Sequence, residues 1–349
     1  MSISYYIREE FPETVLAPPL ERSLFELTLG NSVVQALYVV AELDIATRLA
    51  RGPEDYRVLA ETLEVDAEGL YRVLRFLARL DILARIDSHC FALTPLAEPL
   101  RDDHPRSLRQ YLLFRGAEAY AATGELLHCL KTGESGFRKC YGVDRPEYLR
   151  SNPLRAQVFS VGMRAGTDDL DKKLVEAYDF SPIRVLAHLG GVDRTHVLTI
   201  LQAYPAMHCL FLEQPHAIEY TRQHLAGLGL LDRCQLAPDN ELENRLAGVD
   251  ACLPAAMHRH GDTAAAAMLQ RYRNAMPPGG KLLLIEKFVN DKMPWTVLEN
   301  DLTMLVSHGT QAGKLRTLEE YFALLEQAGL RPGRFVPLDA AFGLLEATC

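Results

Sequence analysis

From Ile183 onward the chain alternates short apolar runs with helical stretches, and that alternation leaves few architectures open. IRVLAHLGG, MHCLFLEQP, GVDACLPAA and GGKLLLIEKFV are strand-like runs. Between them lie HVLTILQAY, IEYTRQHLAGLG and AAAAMLQRYRNAM, whose apolar residues recur at helical spacing. Parallel strands need a crossover connection and a helix supplies it, so the pattern predicts a mainly parallel sheet with helices on both faces. The closing stretch RFVPLDAAFGLLEATC carries two further β-prone runs, expected as an antiparallel pair at the sheet edge.

The first third of the chain follows a different grammar. Between Glu21 and Leu49 the apolar residues Leu24, Leu27, Val33, Val34, Leu37, Val40 and Leu43 recur at roughly helical spacing over several turns. A stretch this apolar needs a partner surface, so a homodimer is expected. YRVLAETL and LYRVLRFLARLDIL then read as two short helices joined by the turn EVDAEG, and ILARIDSHCFALT as two short strands around Asp87 and Ser88. Helix, helix, hairpin is a winged-helix pattern. Such modules often bind DNA, but charge opposes that here: residues 1 to 105 hold ten arginines, no lysine and eighteen acidic residues. A phosphate backbone is repelled by such a surface, so a packing module is expected rather than a nucleic-acid reader. With 349 residues the chain is long enough for two cores. The expected division is a helical, winged-helix-type domain over 1–105, then connecting helices and the α/β domain over 106–349, with the sheet starting near 183.

No run of about 18 apolar residues suggests a membrane span. The start, MSISYYIREEFPETVLAPPL, lacks the basic and then apolar regions of a secretion signal. Seven scattered cysteines with no C-x-x-C pair fit reduced thiols in a cytoplasmic protein better than a disulfide framework or a zinc site, and no metal is expected.

The order and spacing of these segments resemble the plant caffeate-type and bacterial phenazine-type O-methyltransferases. LGNSVVQALYVVAELDIATRL, the segment ending in FALTPLAEPLR, and the α/β part through its closing strands carry the resemblance over nearly the whole length. It implies a Rossmann-like methyltransferase domain, a helical dimerisation domain, S-adenosylmethionine as cofactor and a small hydroxylated metabolite as substrate. The family's cofactor loop, D-V-G-G-G-T-G, corresponds to Ala187, His188, Leu189, Gly190, Gly191, Val192 and Asp193. Two glycines survive as Gly190 and Gly191, whereas Leu189 and Asp193 replace the others. A Cβ at a position built for positive φ or close approach would strain the loop.

The resemblance further implies that Glu213, in FLEQP, accepts bonds from the cofactor's ribose hydroxyls, and that Asp239 with Asn240 lies on the adenine side. His258, in CLPAAMHRHGD, matches the family's base in L-K-x-V-L-H-D-W-D, with Arg259 and His260 in place of the D-W pair. Glu286 matches the first carboxylate that orients this base, while Leu315 in GKLRT stands where the second would be. Phe159, Met163, Asp301, Met304 and His308 are the substrate-pocket residues the same resemblance implies. A neutral imidazole can take the proton of a substrate hydroxyl near pH 7. Two readings follow: methyl transfer to a small hydroxylated secondary metabolite, or a methyltransferase fold that has turned to other acid/base chemistry or to silent binding.

Overall fold

The computed structural model describes residues 19–163, 169–190, 194–254 and 256–349. Their packing groups into two units, one from the described residues of Met1–Ala121 and Leu149–Gly166, the other from those of Ala122–Tyr148 and Thr167–Cys349. Residues 106–121 and 149–163, placed with the sheet on sequence grounds, thus pack with the N-terminal unit.

In the first unit the apolar stretch is three helices, Pro19–Thr28, Gly30–Glu42 and Ile45–Leu49, rather than one long one. The last break falls at Asp44, whose φ of 52° is left-handed, a conformation Asp tolerates better than most residues. The Asp44 carboxylate accepts the Thr47 hydroxyl at 2.7 Å and ties the corner. Helix Gly30–Glu42 lies close against Arg109–Gly116: a Cβ on Gly116 would sit 2.2 Å from Tyr38 Cβ, so only glycine allows the approach. The winged-helix part forms as the sequence predicts. Helices Tyr56–Thr62 and Ala67–Arg79 start at Asp55 and Asp66, whose carboxylates accept the N–H groups of Arg57 and Gly69. Strands β1 (Glu54–Asp55), β2 (Leu83–Arg85) and β3 (Cys90–Leu93) form a small antiparallel sheet in the order β1-β3-β2. Leu59, Leu70, Leu74, Leu77, Leu83 and Phe91 fill the core beneath it.

The second unit carries the large sheet: β4 (Val185–Leu189), β5 (His208–Glu213), β6 (Cys234–Pro238), β7 (Ala251–Pro254), β8 (Lys281–Val289), β10 (Arg331–Pro337) and β11 (Phe342–Thr348), with the short β9 (Arg316–Thr317) beside β8. Their order is β10-β11-β8-β7-β4-β5-β6. β4 to β8 pair in parallel, and β10 and β11 close the edge antiparallel, as expected. Strand β6 was not anticipated. Its CQLAP is short and ends in proline, which a sheet accepts at its outer edge.

Both faces are covered, and β5 shows how. Leu210 and Leu212 join one core, whereas Cys209 and Phe211 join the opposite one, the alternation that a two-residue period imposes. Helix Thr195–Ala203 buries Val197, Leu198, Ile200 and Leu201 on one face, and helix Asp262–Ala275 buries Ala265, Leu269 and Tyr272 on the other. Each fully buried Leu or Ile contributes about 1.5–3 kcal/mol. Helix Leu318–Gln327 starts in a capping box in which Thr317 and Glu320 satisfy each other's backbone N–H groups.

Candidate active site

Strand order reverses at β4: β5 and β6 extend from one side of it, β7 and β8 from the other. In open α/β sheets the crevice outside the carboxyl ends at such a point is where ligands bind. Gly190 follows β4 there with φ +73°, and the nearest atom to a Cβ built on it is the Leu212 carbonyl oxygen at 3.8 Å. The conformation demands glycine, and the bare backbone leaves room for close approach. Leu189 precedes it as the last residue of β4, with its side chain buried in the core at 7% exposure. Its φ is not positive. Gly191 and Asp193 lie outside the described residues.

Glu213 ends β5 and Asp239 follows β6, so both carboxylates sit at adjacent strand ends on the side where Gly190 opens. Glu213 is deeply buried and Asp239 half-buried, whereas Asn240 is exposed. Paired acceptors beside a glycine turn fit the ribose and adenine of S-adenosylmethionine in donor chemistry. Glu213 also accepts the Arg194 Nε–H at 2.6 Å, in an ion pair whose side chains are 8% and 3% exposed.

On the other side of β4, His258 sits in a single turn, Met257–Arg259, just after β7. Ala256 enters that turn with φ 50°, a left-handed conformation costing an alanine about 1–2 kcal/mol. The turn is pinned from below. Lys314 N–H donates to the His258 carbonyl at 3.0 Å, and Arg316 donates to the carbonyls of His260 at 2.6 Å and Met257 at 3.4 Å. The Arg316 side chain is 0% exposed, and it also reaches Asp262 Oδ1 at 3.0 Å through Nε. Sequence reasoning passed over Arg316, although the GKLRT segment contained it.

Glu286, on β8, meets His258 from beneath. Their Nδ1 and Oε2 are 2.6 Å apart, with the carboxylate 2% and the imidazole 31% exposed. Such a carboxylate accepts the Nδ1–H and so leaves Nε2 as the acceptor nitrogen on the accessible side of the ring. Glu286 Oε1 is buried without a hydrogen bond among the described residues. Leu315 takes no part in this pairing: its side chain is buried, and its N–H donates to Asp301 Oδ1 at 2.7 Å.

Two family domains match this chain: an O-methyltransferase dimerisation domain over residues 25–102 and an O-methyltransferase domain over 124–331. The chain belongs to the O-methyltransferase family. It is 32% identical to the phenazine O-methyltransferase PhzM of Lysobacter antibioticus over 95% of this chain and 97% of that one. The 3-amino-4-hydroxybenzoate 4-O-methyltransferase of Streptomyces cremeus is 31% identical, covering 94% of this chain and 90% of its own. Among solved structures, the mitomycin 7-O-methyltransferase MmcR superposes with a TM-score of 0.86 at 28% identity, over 94% of this chain and 97% of that one. This chain is therefore an enzyme of the methyltransferase type, and its relatives act on small secondary metabolites.

The remaining family positions divide between the units. Phe159, edge-on to Phe114 at 5.2 Å, and the exposed Met163 belong to the first unit. Asp301, Met304 and His308 share the helix Trp295–His308 of the second. Met304 is buried, and its Cε would lie 2.5 Å from a Cβ on Gly313, next to the segment that holds His258. His308 Nε2 accepts from Arg145 Nη2 at 2.6 Å, while Arg145 Nη1 donates to Ser307 Oγ at 2.9 Å. Burial, then the positive field of Arg145 and Arg259 with His258 and His260, pushes the His308 pKa down to about 3. Burial and Arg259 pull Arg145 down to about 10. Among the described residues no cluster of three or more His, Cys, Asp or Glu could hold a metal, and no helix is long and apolar enough to cross a membrane.

Proposed function

We propose that this enzyme methylates a hydroxyl of a small aromatic or polyketide-like metabolite, with His258 as general base and Glu286 as the carboxylate that orients it. The observation carrying the reading is the 2.6 Å contact between His258 Nδ1 and Glu286 Oε2, which commits one ring nitrogen and leaves the other for a substrate proton. S-adenosylmethionine, when bound, supplies the electrophilic methyl group. Gly190, Gly191, Glu213, Asp239 and Asn240 would hold it, Gly190 by close backbone approach and the two carboxylates by accepting its hydroxyl and amine donors. His258 Nε2 draws the proton from the substrate oxygen as that oxygen becomes the nucleophile. Glu286 then stabilises the imidazolium that forms. In the second unit Asp301, Met304 and His308 shape the substrate's surroundings, and His308 does so as a neutral imidazole.

The same reading makes the enzyme a cytoplasmic homodimer. The match of residues 25–102 to a dimerisation domain supports the dimer, as do Leu24, Phe25 and Leu27, which are 66%, 62% and 69% exposed. The seven cysteines are scattered with no C-x-x-C pair, a pattern that suits reduced thiols. Turnover of hydroxylated aromatic acids with S-adenosylmethionine, compared between the wild type and His258→Ala, tests the assignment. Equal turnover in the two would remove His258 from the mechanism.

A further inference from the structure

Glu213 has two claimants. As the last residue of β5 it stands beside the mouth of β4, and the reading above gives its carboxylate to the ribose hydroxyls. In the structure its Oε1 is already taken by Arg194 Nε at 2.6 Å, and the Thr221 hydroxyl faces the same oxygen at 3.5 Å. Arg194 precedes helix Thr195–Ala203, so its guanidinium reaches from the end of the β4 loop to the end of β5. Neither side chain is on the surface, being 8% and 3% exposed.

The chemistry of the competition is lopsided. A guanidinium is a permanent cation, so its bond to a carboxylate carries a charge–charge attraction that a neutral donor such as a ribose hydroxyl lacks. Ribose hydroxyls therefore cannot displace Arg194 bond for bond. They gain this oxygen, Oε1, only in conformations where the guanidinium has swung away.

We propose that Arg194 is an internal competitor of the cofactor: its ion pair withholds Glu213 Oε1 from the ribose hydroxyls, and the cofactor gains the full carboxylate only in the minority of molecules in which the pair is open. The proposal rests on Glu213 being the ribose acceptor. Apparent affinity falls by the fraction of molecules that are open, so an open population of about one in ten weakens binding about tenfold.

Calorimetric titration with S-adenosylhomocysteine, which needs no turnover, reads this directly. Arg194→Ala is expected to bind at least about tenfold more tightly than the wild type. Its melting temperature without ligand should fall, because Glu213 is left buried without its countercharge, and the ligand should raise it by more than in the wild type. Arg194→Gln keeps an N–H for Oε1 without the charge, serves if the alanine variant does not fold, and should also bind more tightly than the wild type. Unchanged or weaker binding in a folded Arg194 variant overturns the proposal. Glu213→Ala separates the two ideas. If it weakens binding while the Arg194 variants bind no better, the ribose role stands and the competition falls. If it binds as well as the wild type, or if neither wild type nor Arg194 variants bind, both fall.

Discussion

Glu213 and Glu286 are the same residue type on parallel strands of one sheet, each 2% exposed, and each carries one strong cationic or protonatable partner. The partners make them different tools. Imidazole changes charge near neutral pH and keeps a second nitrogen, so the Glu286 side of the sheet can move a proton. Guanidinium does not give up its proton, so the Glu213 side can only hold or be held. What a buried carboxylate does is set by what it is paired with, and a substitution that changes the partner changes the tool.

The largest expected effect is on the proton-moving side. His258→Ala should lower kcat by about 10² to 10⁴, the range for removal of a positioned base, with the fold unchanged by circular dichroism. A loss below threefold would make the two carboxylates equivalent holders and erase the contrast between them.

Next comes Arg316, which supports His258 without belonging to the pair. Arg316→Met deprives the His260 carbonyl of its donor, while the Met257 carbonyl keeps the His260 N–H at 3.1 Å, and an unsatisfied group of this kind costs about 1–3 kcal/mol. A destabilisation of about 1–3 kcal/mol in urea unfolding is expected, with kcat lowered as the turn loosens. Unchanged stability would mean that the turn holds through Lys314 N–H and its own backbone hydrogen bonds without Arg316.

How much of this was legible in the sequence follows the same divide. The α/β alternation was readable because strands covered on both faces are continuous apolar runs, as in IRVLAHL and CLFLE. The hairpin was readable from its turn residues. Strand β6 was not, since CQLAP is too short and too mixed to stand out against a loop. His258 and Glu286 were placed by family resemblance, and their direct contact depends on β7 and β8 being neighbours. Neither Arg194 nor Arg316 was singled out, because a buried arginine looks in a sequence like any surface charge. Its burial depends on partners remote in the chain, here Glu213 and the carbonyls around His258. The break at Asp44 was hidden for a related reason: a left-handed residue leaves the apolar period intact while turning the chain.

A smaller effect tests the basic side of helix Trp295–His308. The folded-state pKa of His308 is depressed to about 3 from 6.5, so between those values the unfolded chain binds a proton that the folded one refuses. Stability from this group is complete above pH 6.5 and is lost as the pH falls toward 3. His308→Gln removes the linkage, so urea midpoints measured at pH 7.0, 5.5 and 4.5, values chosen to span roughly that window, should decline less steeply than in the wild type. Parallel declines would mean that His308 accepts a proton as readily in the folded state as outside it.

The smallest expected effect decides what Asp301 is for. The family resemblance gives it to the substrate, yet its Oδ1 holds the N–H of Leu315, the residue between Lys314 and Arg316, which both grip the His258 turn. A carboxylate has a second oxygen, so the two roles are compatible in geometry and separable by chemistry. Asp301→Asn retains a carbonyl oxygen for the Leu315 N–H while removing the charge and one acceptor. If holding that segment is its whole task, stability should change by less than about 0.5 kcal/mol, the usual range for a substitution that keeps its hydrogen bond, and KM should stay within about twofold. If the carboxylate also meets the substrate, KM should rise several-fold at unchanged stability and kcat, because the lost interaction is equally present before and during the reaction. Asp301→Ala supplies the reference: the Leu315 N–H loses its acceptor, at a cost of about 1–3 kcal/mol, and kcat should fall with stability as the His258 turn loosens. The asparagine variant thus sorts Asp301 with Arg316, which acts through backbone, or with the residues that touch the substrate.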